Sequence, residues 1–284
     1  MNMKTKYTSK AAAKPSWNNA ILLGIAALAL LASPGVALAD CTPVTNWTGA
    51  VDHNWFTSGN WSGGVPNSGT GAVVNNAGTA QISGSLPAAN ACSLTLDPGN
   101  VSVSNQGSLT ITQYGIVVGD TSATGTSLLA VTDSAAVTAA TSVVVNGSGT
   151  LTGNGTVSTT SGTTIYGTLV PSSGRLTIST GDLTFSGIAG PLMESKVVPA
   201  SADNVYVSAG TASLSGRLSV SMSGTFTPGT RYTLLHAANG LLNGSTFSSV
   251  SITYPTGQGF TPKIIYAAND VYLCLVPDTG GTCD

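Results

Sequence analysis

The apolar positions of this chain fall in short alternating runs. Val101-Ser-Val103, Leu109-Thr-Ile111, Leu176-Thr-Ile178, Leu183-Thr-Phe185 and Leu214-Ser-Gly-Arg-Leu-Ser-Val220 set apolar residues against Ser and Thr at every second position. Period two with β-branched residues predicts strands. Asn146-Gly147, Asn154-Gly155 and Pro228-Gly229 interrupt the runs with residues that accept turn backbone angles. Nothing after Ala39 has the spacing of an amphipathic helix.

Strands this short, with turns this frequent, suit a solenoid in which each rung pairs with the next in parallel. The expected fold is all-β: a single elongated right-handed parallel β-helix (β-solenoid) with an N-terminal cap containing Trp and Cys. Inward Val, Ile and Leu would stack into one core, and outward Ser, Thr and Asn would cover the faces. The repeat length is irregular, which keeps a β-sandwich open as the alternative. Residues 40–100 are expected to form the cap and first rungs, 101–276 the solenoid body and 277–284 a tail.

The N-terminus reads differently. Ala20 to Ala32 is an unbroken apolar run, preceded by Lys4, Lys6, Lys10 and Lys14 and followed by Pro34 and Gly35. It is shorter than the roughly 20 residues a spanning helix needs. Ala37-Leu-Ala39 then offers small residues to a signal peptidase, so residues 1–39 are read as a secretory signal peptide cleaved before Asp40. Leu38-Ala-Asp-Cys41 approximates a lipoprotein box, but Asp40 is too large and charged for the residue before an acylated Cys. An even count of Cys in an exported chain favours disulfides instead. The expected location is extracellular or at the cell surface, with the periplasm as alternative.

Charge sharpens this picture. Only 7% of residues are charged, and four of the nine basic ones lie in the leader. The remainder carries five basic groups against eleven acidic ones, 5 − 11 = −6. A chain of that sign with no basic patch excludes a nucleic-acid-binding role. Its solubility must come from hydroxyl and amide side chains.

Several passages carry a family likeness. Leu151-Thr-Gly-Asn-Gly-Thr-Val157 looks like a glycine-punctuated rung; Gly167-Thr-Leu-Val-Pro171, Gly174-Arg-Leu-Thr-Ile178 and Gly181-Asp-Leu-Thr-Phe185 follow in order. Glu194, Asp203-Asn-Val-Tyr-Val207, Leu214-Ser-Gly216, Tyr232-Thr-Leu-Leu235, Gly244-Ser-Thr-Phe247 and Val271-Tyr-Leu273 continue the series. This order resembles the passenger regions of bacterial autotransporters and autotransporter-associated β-strand-repeat proteins. Trp47-Thr-Gly49, Trp55, Asn60-Trp61 and Gly64-Val-Pro66 are similar to the Trp-rich opening of many such surface proteins. The resemblance implies a stiff surface stalk or adhesin. Only Pro277 to Asp284 follow the last predicted strand, whereas a membrane barrel takes at least eight strands of about ten residues. Self-translocation is therefore not expected, which leaves three alternatives: a free secreted relative, a periplasmic protein, or a passenger separated from its barrel and served by a separate outer-membrane translocator.

Four Cys allow three pairings. In a stacked coil the ends stand tens of ångströms apart at about 4.8 Å per rung, and a bridge needs Cα atoms within about 7 Å. Cys41–Cys92 and Cys274–Cys283 are the expected bridges.

Candidate chemistry is sparse. Trp47, Trp55 and Trp61 are candidates for stacking on sugar rings, but their clustering at a terminus favours a plug on the core. His53 and His236 are the only histidines, no G-x-S-x-G or H-E-x-x-H occurs, and no metal or cofactor site is expected. Asp182, Glu194 and Asp203 are the nearest carboxylate set for polysaccharide cleavage, which needs two carboxyls roughly 5 to 9.5 Å apart. Arg175, Lys196 and Arg217 are isolated in sequence. The leading reading is an exported structural or adhesive protein whose partners are host or matrix glycans or cell-surface proteins. A carbohydrate-binding module built on the Trp cluster comes second, and a polysaccharide-degrading enzyme third. Two facing carboxylates would favour the enzyme, and an aromatic strip along the long face the binding module.

Overall fold

The computed structural model describes residues 41–85, 87–121, 125–187 and 190–283. The signal peptide expected over 1–39, and its cleavage point before Asp40, lie outside the described residues. Those residues form strands, turns and two 3-10 turns, Ser58–Asn60 and Leu242–Gly244. No helix among them is long and apolar enough to cross a membrane.

The strands sort into three sheets, one of eight strands and two of nine. The chain visits them in rotation. Gly71–Val74 lies on the first face, Thr79–Ser83 on the second and Ala89–Ala91 on the third, after which Ser93–Leu96 returns to the first. Each strand pairs in parallel with its counterpart one coil later: Gly71 with Ser93, Thr79 with Asn100, Ala89 with Leu109. Seven such circuits end with Arg231–Ala237 on the third face. This is a parallel β-helix of three faces. A meandering sandwich would pair chain neighbours antiparallel, and that alternative is set aside.

Coil length varies because the corners vary. Thr163 pairs with Leu183, but Leu183 pairs with Ala212. Spacings of roughly 20 to 30 residues are of solenoid size, and their irregularity hides the period from the sequence. The run Leu214–Val220, expected as one strand, is split. Ala212–Ser213 ends on the first face and Arg217–Met222 begins on the second. Gly216 turns the corner at φ +73, with Pro191 so close that a Cβ would meet its carbonyl oxygen at 2.3 Å. Alternation continues through the corner, so the pattern alone conceals the bend.

The core is a column of side chains in register. Val74, Leu96, Val118, Val145, Ile165 and Phe185 stack directly over one another on the first face, all buried. Ala80, Val101, Leu129, Leu151, Leu169, Met193 and Leu218 do the same on the second. A neighbouring first-face column breaks its apolar run at Thr163, which sits between Val143 and Leu183 with its hydroxyl unpaired among the described residues.

Both ends of the column are closed. At the N-terminal end, residues 41–70 cover it, and Cys41 bonds to Cys92 across a Cα–Cα distance of 6.0 Å. At the other end Phe260–Tyr266 and Asp270–Pro277 add to the third face as an antiparallel hairpin. Cys283 then returns to Cys274, 5.7 Å away. The pairing is the one expected. Closed ends leave fewer free strand edges for other chains to join. Two disulfides and no free cysteine place the folded protein in an oxidising, extracytoplasmic setting.

Candidate functional site

The cap is built around the three tryptophans. Trp61 meets Trp47 edge to face at 5.0 Å and Trp55 at 4.8 Å, and its indole N–H donates to the Trp55 carbonyl at 2.7 Å. Their exposures are 2%, 0% and 4% for Trp47, Trp55 and Trp61. Rings buried this far plug the column, and none presents a free face for a sugar to stack on.

Asn60 organises the loop beside them. Its Oδ1 accepts from the backbone N–H groups of Val51 and Asp52, and its Nδ2 donates to the Asn54 carbonyl and the Asp52 carboxylate. The Asn54 N–H, then the Asn60 amide and the Thr57 hydroxyl, hold the Asp52 carboxyl below its usual range. The structural role of Asn60 was not legible in the sequence, since an amide buried by tertiary packing leaves no local pattern. A cleft of about 460 Å³ adjoins the cap, lined by Trp55, Phe56, Val65, Pro66, Pro87 and Asn90 among others.

Two of the three carboxylates considered for glycan cleavage are engaged in hydrogen bonds at corners of the coil. Asp182 stands at a corner, where its Oδ1 accepts from the Thr211 N–H and hydroxyl. Asp203 stands at another, accepting from the Gly174 N–H at 2.7 Å. Glu194 is exposed on the second face, beside Ser219. Two of the three thus tie one coil to the next. Lys196 and Asp203 share a shallow pocket of about 350 Å³ with Ser173 and Ser201. His53 sits in the cap, its Nδ1 3.3 Å from the Thr79 carbonyl.

The densest chemistry lies on the outer surface of the third face, over its last coils. Tyr206 and His236 are register partners on adjacent parallel strands, and their rings stack at 5.1 Å with an interplanar angle of 10°. The guanidinium of Arg175 lies 4.8 Å from the Tyr206 ring centre. On the far side, His236 Nδ1 donates to Asp270 Oδ1 at 2.8 Å, a pair made by the antiparallel register of their strands. Two residues on, Tyr272 carries the guanidinium of Arg231 at 4.5 Å. Burial, then the hydrogen bond and negative charge of Asp270, push the Tyr272 phenol up, while Arg231 opposes them.

The result is a continuous row: Arg175, Tyr206, His236, Asp270, Tyr272, Arg231. A cation stands at each end, with three rings and one carboxylate between them. Earlier coils of the same face carry small groups at the positions in register with Tyr206: Thr177, Thr156, Ala136 and Ser108. In the sequence Arg175 is isolated and His236 belongs to no catalytic or metal-binding motif. The row draws on four strands about 30 residues apart, so nothing local announced it.

No family model matches the chain, and no curated protein matches it either.

Proposed function

We propose that the protein is an exported structural or adhesive β-helix of the surface or secreted kind, similar in plan to an autotransporter passenger. In this reading residues 1–39 are removed as a signal peptide and the mature chain begins at Asp40. A separate outer-membrane protein carries it outward. Its partners are glycans or cell-surface proteins, held along its side faces.

One observation supports this reading above others: a seven-coil column closed by a disulfide at each end. Such a body is stiff along its axis and suited to an oxidising exterior. Its side chains tie coil to coil, as Asp182 and Asp203 do. The aromatic row on a long face, not the buried Trp cluster, is where a ligand would be held.

Fractionation of the native host tests the reading. Intact cells are treated with a nonspecific protease, and the medium, surface and periplasm are probed for the chain. The expected result is a mature product starting at Asp40, in the medium or accessible on the surface. A product retaining Met1, or one confined to the cytoplasm, overturns it.

A further inference from the structure

We propose that the outer surface of the third face, over its last three coils, is a binding site for an acidic glycan bearing carboxylate or sulfate groups. This deepens the adhesive reading, on which its biological setting rests.

Three of the five Lys and Arg side chains among the described residues gather here. Arg231 and Lys263 both register against Cys274, so they flank it in one row across three strands. Arg175 stands two strands further back in the same sheet. None of the three forms an ion pair among the described residues, where the single carboxylate contact of a basic group is that of His236 with Asp270. In a chain of net charge −6 after its leader, three cations beside the single carboxylate of Asp270 in this row are a local reversal of sign.

Two of the cations are held in place. A guanidinium over a tyrosine ring gives up side-chain freedom before any ligand arrives, and planar N–H edges suit carboxylate or sulfate oxygens. The rings between them point the site toward a hydroxyl-rich ligand. The faces of Tyr206 and His236 are turned toward one another, so sugar stacking is not what they offer. Their polar edges are what remains: the Tyr206 hydroxyl and His236 Nε2, whose orientation is fixed by the bond from Nδ1 to Asp270. Asp270 adds an acceptor for sugar hydroxyls at the centre of the row. Anionic groups at the flanks and hydroxyls in the middle describe an acidic polysaccharide. A DNA strand carries a phosphate at every step but no sugar hydroxyl along its length for the central acceptor Asp270.

The purified, disulfide-intact protein is tested by affinity electrophoresis and calorimetry. The probes are polygalacturonate (carboxylated), heparin (sulfated), dextran (neutral) and a thymidine oligonucleotide. Retention by polygalacturonate, heparin or both is expected, weakening with added salt, and dextran and the oligonucleotide should leave mobility unchanged. Arg175→Gln and Arg231→Gln should each weaken acidic-glycan binding about tenfold, the scale of one lost charge-assisted contact. Arg217→Gln makes the same change in net charge on the second face and should leave binding intact. Absence of retention, equal retention of the oligonucleotide, or an equal loss in Arg217→Gln overturns the proposal. Failure to bind by a protein that is exported overturns this site alone; binding by a protein that stays in the cytoplasm overturns the export reading alone.

Discussion

Gly153 runs so close to Val131 on the preceding coil that a Cβ at position 153 would lie 1.9 Å from the Val131 carbonyl oxygen. The two are register partners on the second face, and Gly153 holds φ +132, a conformation L side chains rarely adopt. Strain and collision act together in Gly153→Ala. It should lose roughly 2 to 4 kcal/mol of stability in urea denaturation. Gly147→Ala is the matched control: a Cβ there meets nothing within 4 Å, and the change should stay within about 0.5 kcal/mol. Equal effects at the two sites would contradict the close approach of neighbouring coils.

Thr163 is a polar residue in an aliphatic column. It is 1% exposed, and its hydroxyl has no hydrogen-bond partner among the described residues, although its backbone N–H donates to the Asp182 carbonyl. Thr163→Val keeps the shape and removes an unpaired polar group. It should stabilise by about 1 to 2 kcal/mol, read as a rise in melting temperature. A fall would mean that the hydroxyl has a partner.

The two disulfides close loops of different length. Cys41 and Cys92 are 51 residues apart, Cys274 and Cys283 nine. By loop-closure entropy their removal costs about 4 and about 3 kcal/mol. Denaturation of Cys41→Ala/Cys92→Ala and Cys274→Ala/Cys283→Ala should give that order. The N-terminal pair should also lose its cap, seen as red-shifted Trp emission, because Trp47, Trp55 and Trp61 pack together there. Unshifted emission in that variant would detach the bridge from the cap.

Acid should loosen the same cap. Hydrogen bonds hold the folded Asp52 pKa below its ordinary 3.8. A lowered folded pKa contributes stability that is fully present above the unfolded value. It is lost as pH falls through the folded one. Trp emission of the mature chain should therefore change below about pH 3.8 and stay flat between pH 5 and 8. Asp52→Asn should remove the acid step. An unchanged step in that variant would assign it to another group.

Sequence legibility followed the range of the forces. Leu109-Thr-Ile111 and Leu183-Thr-Phe185 were readable as strands because alternation is local, and both are strands. The solenoid was readable from short runs and frequent turns. Gathering the tryptophans at one end already suggested a plug. What failed to show was whatever depends on register between distant coils. Tyr206 meets His236 and His236 meets Asp270 only once the coils stack and the last hairpin folds back. The unpaired Thr163 looks like any outward threonine until the neighbouring corner fixes which way it points. Asn154 looked like half of a turn dipeptide, yet its amide joins three coils, accepting from Asp133 N–H and donating to the Ser173 carbonyl.

The coil itself is tested most directly by a distance between two outward positions on the first face. Thr95, Val117, Val144, Thr164, Thr184 and Ser213 follow one another in register. Five strand spacings separate the first from the last, about 24 Å between their backbones. Spin labels at Thr95→Cys and Ser213→Cys, measured by double electron–electron resonance, should give a single narrow distribution near that distance plus the label arms. A broad distribution, or one centred below about 15 Å, would contradict a column of stacked coils with a rise near 4.8 Å.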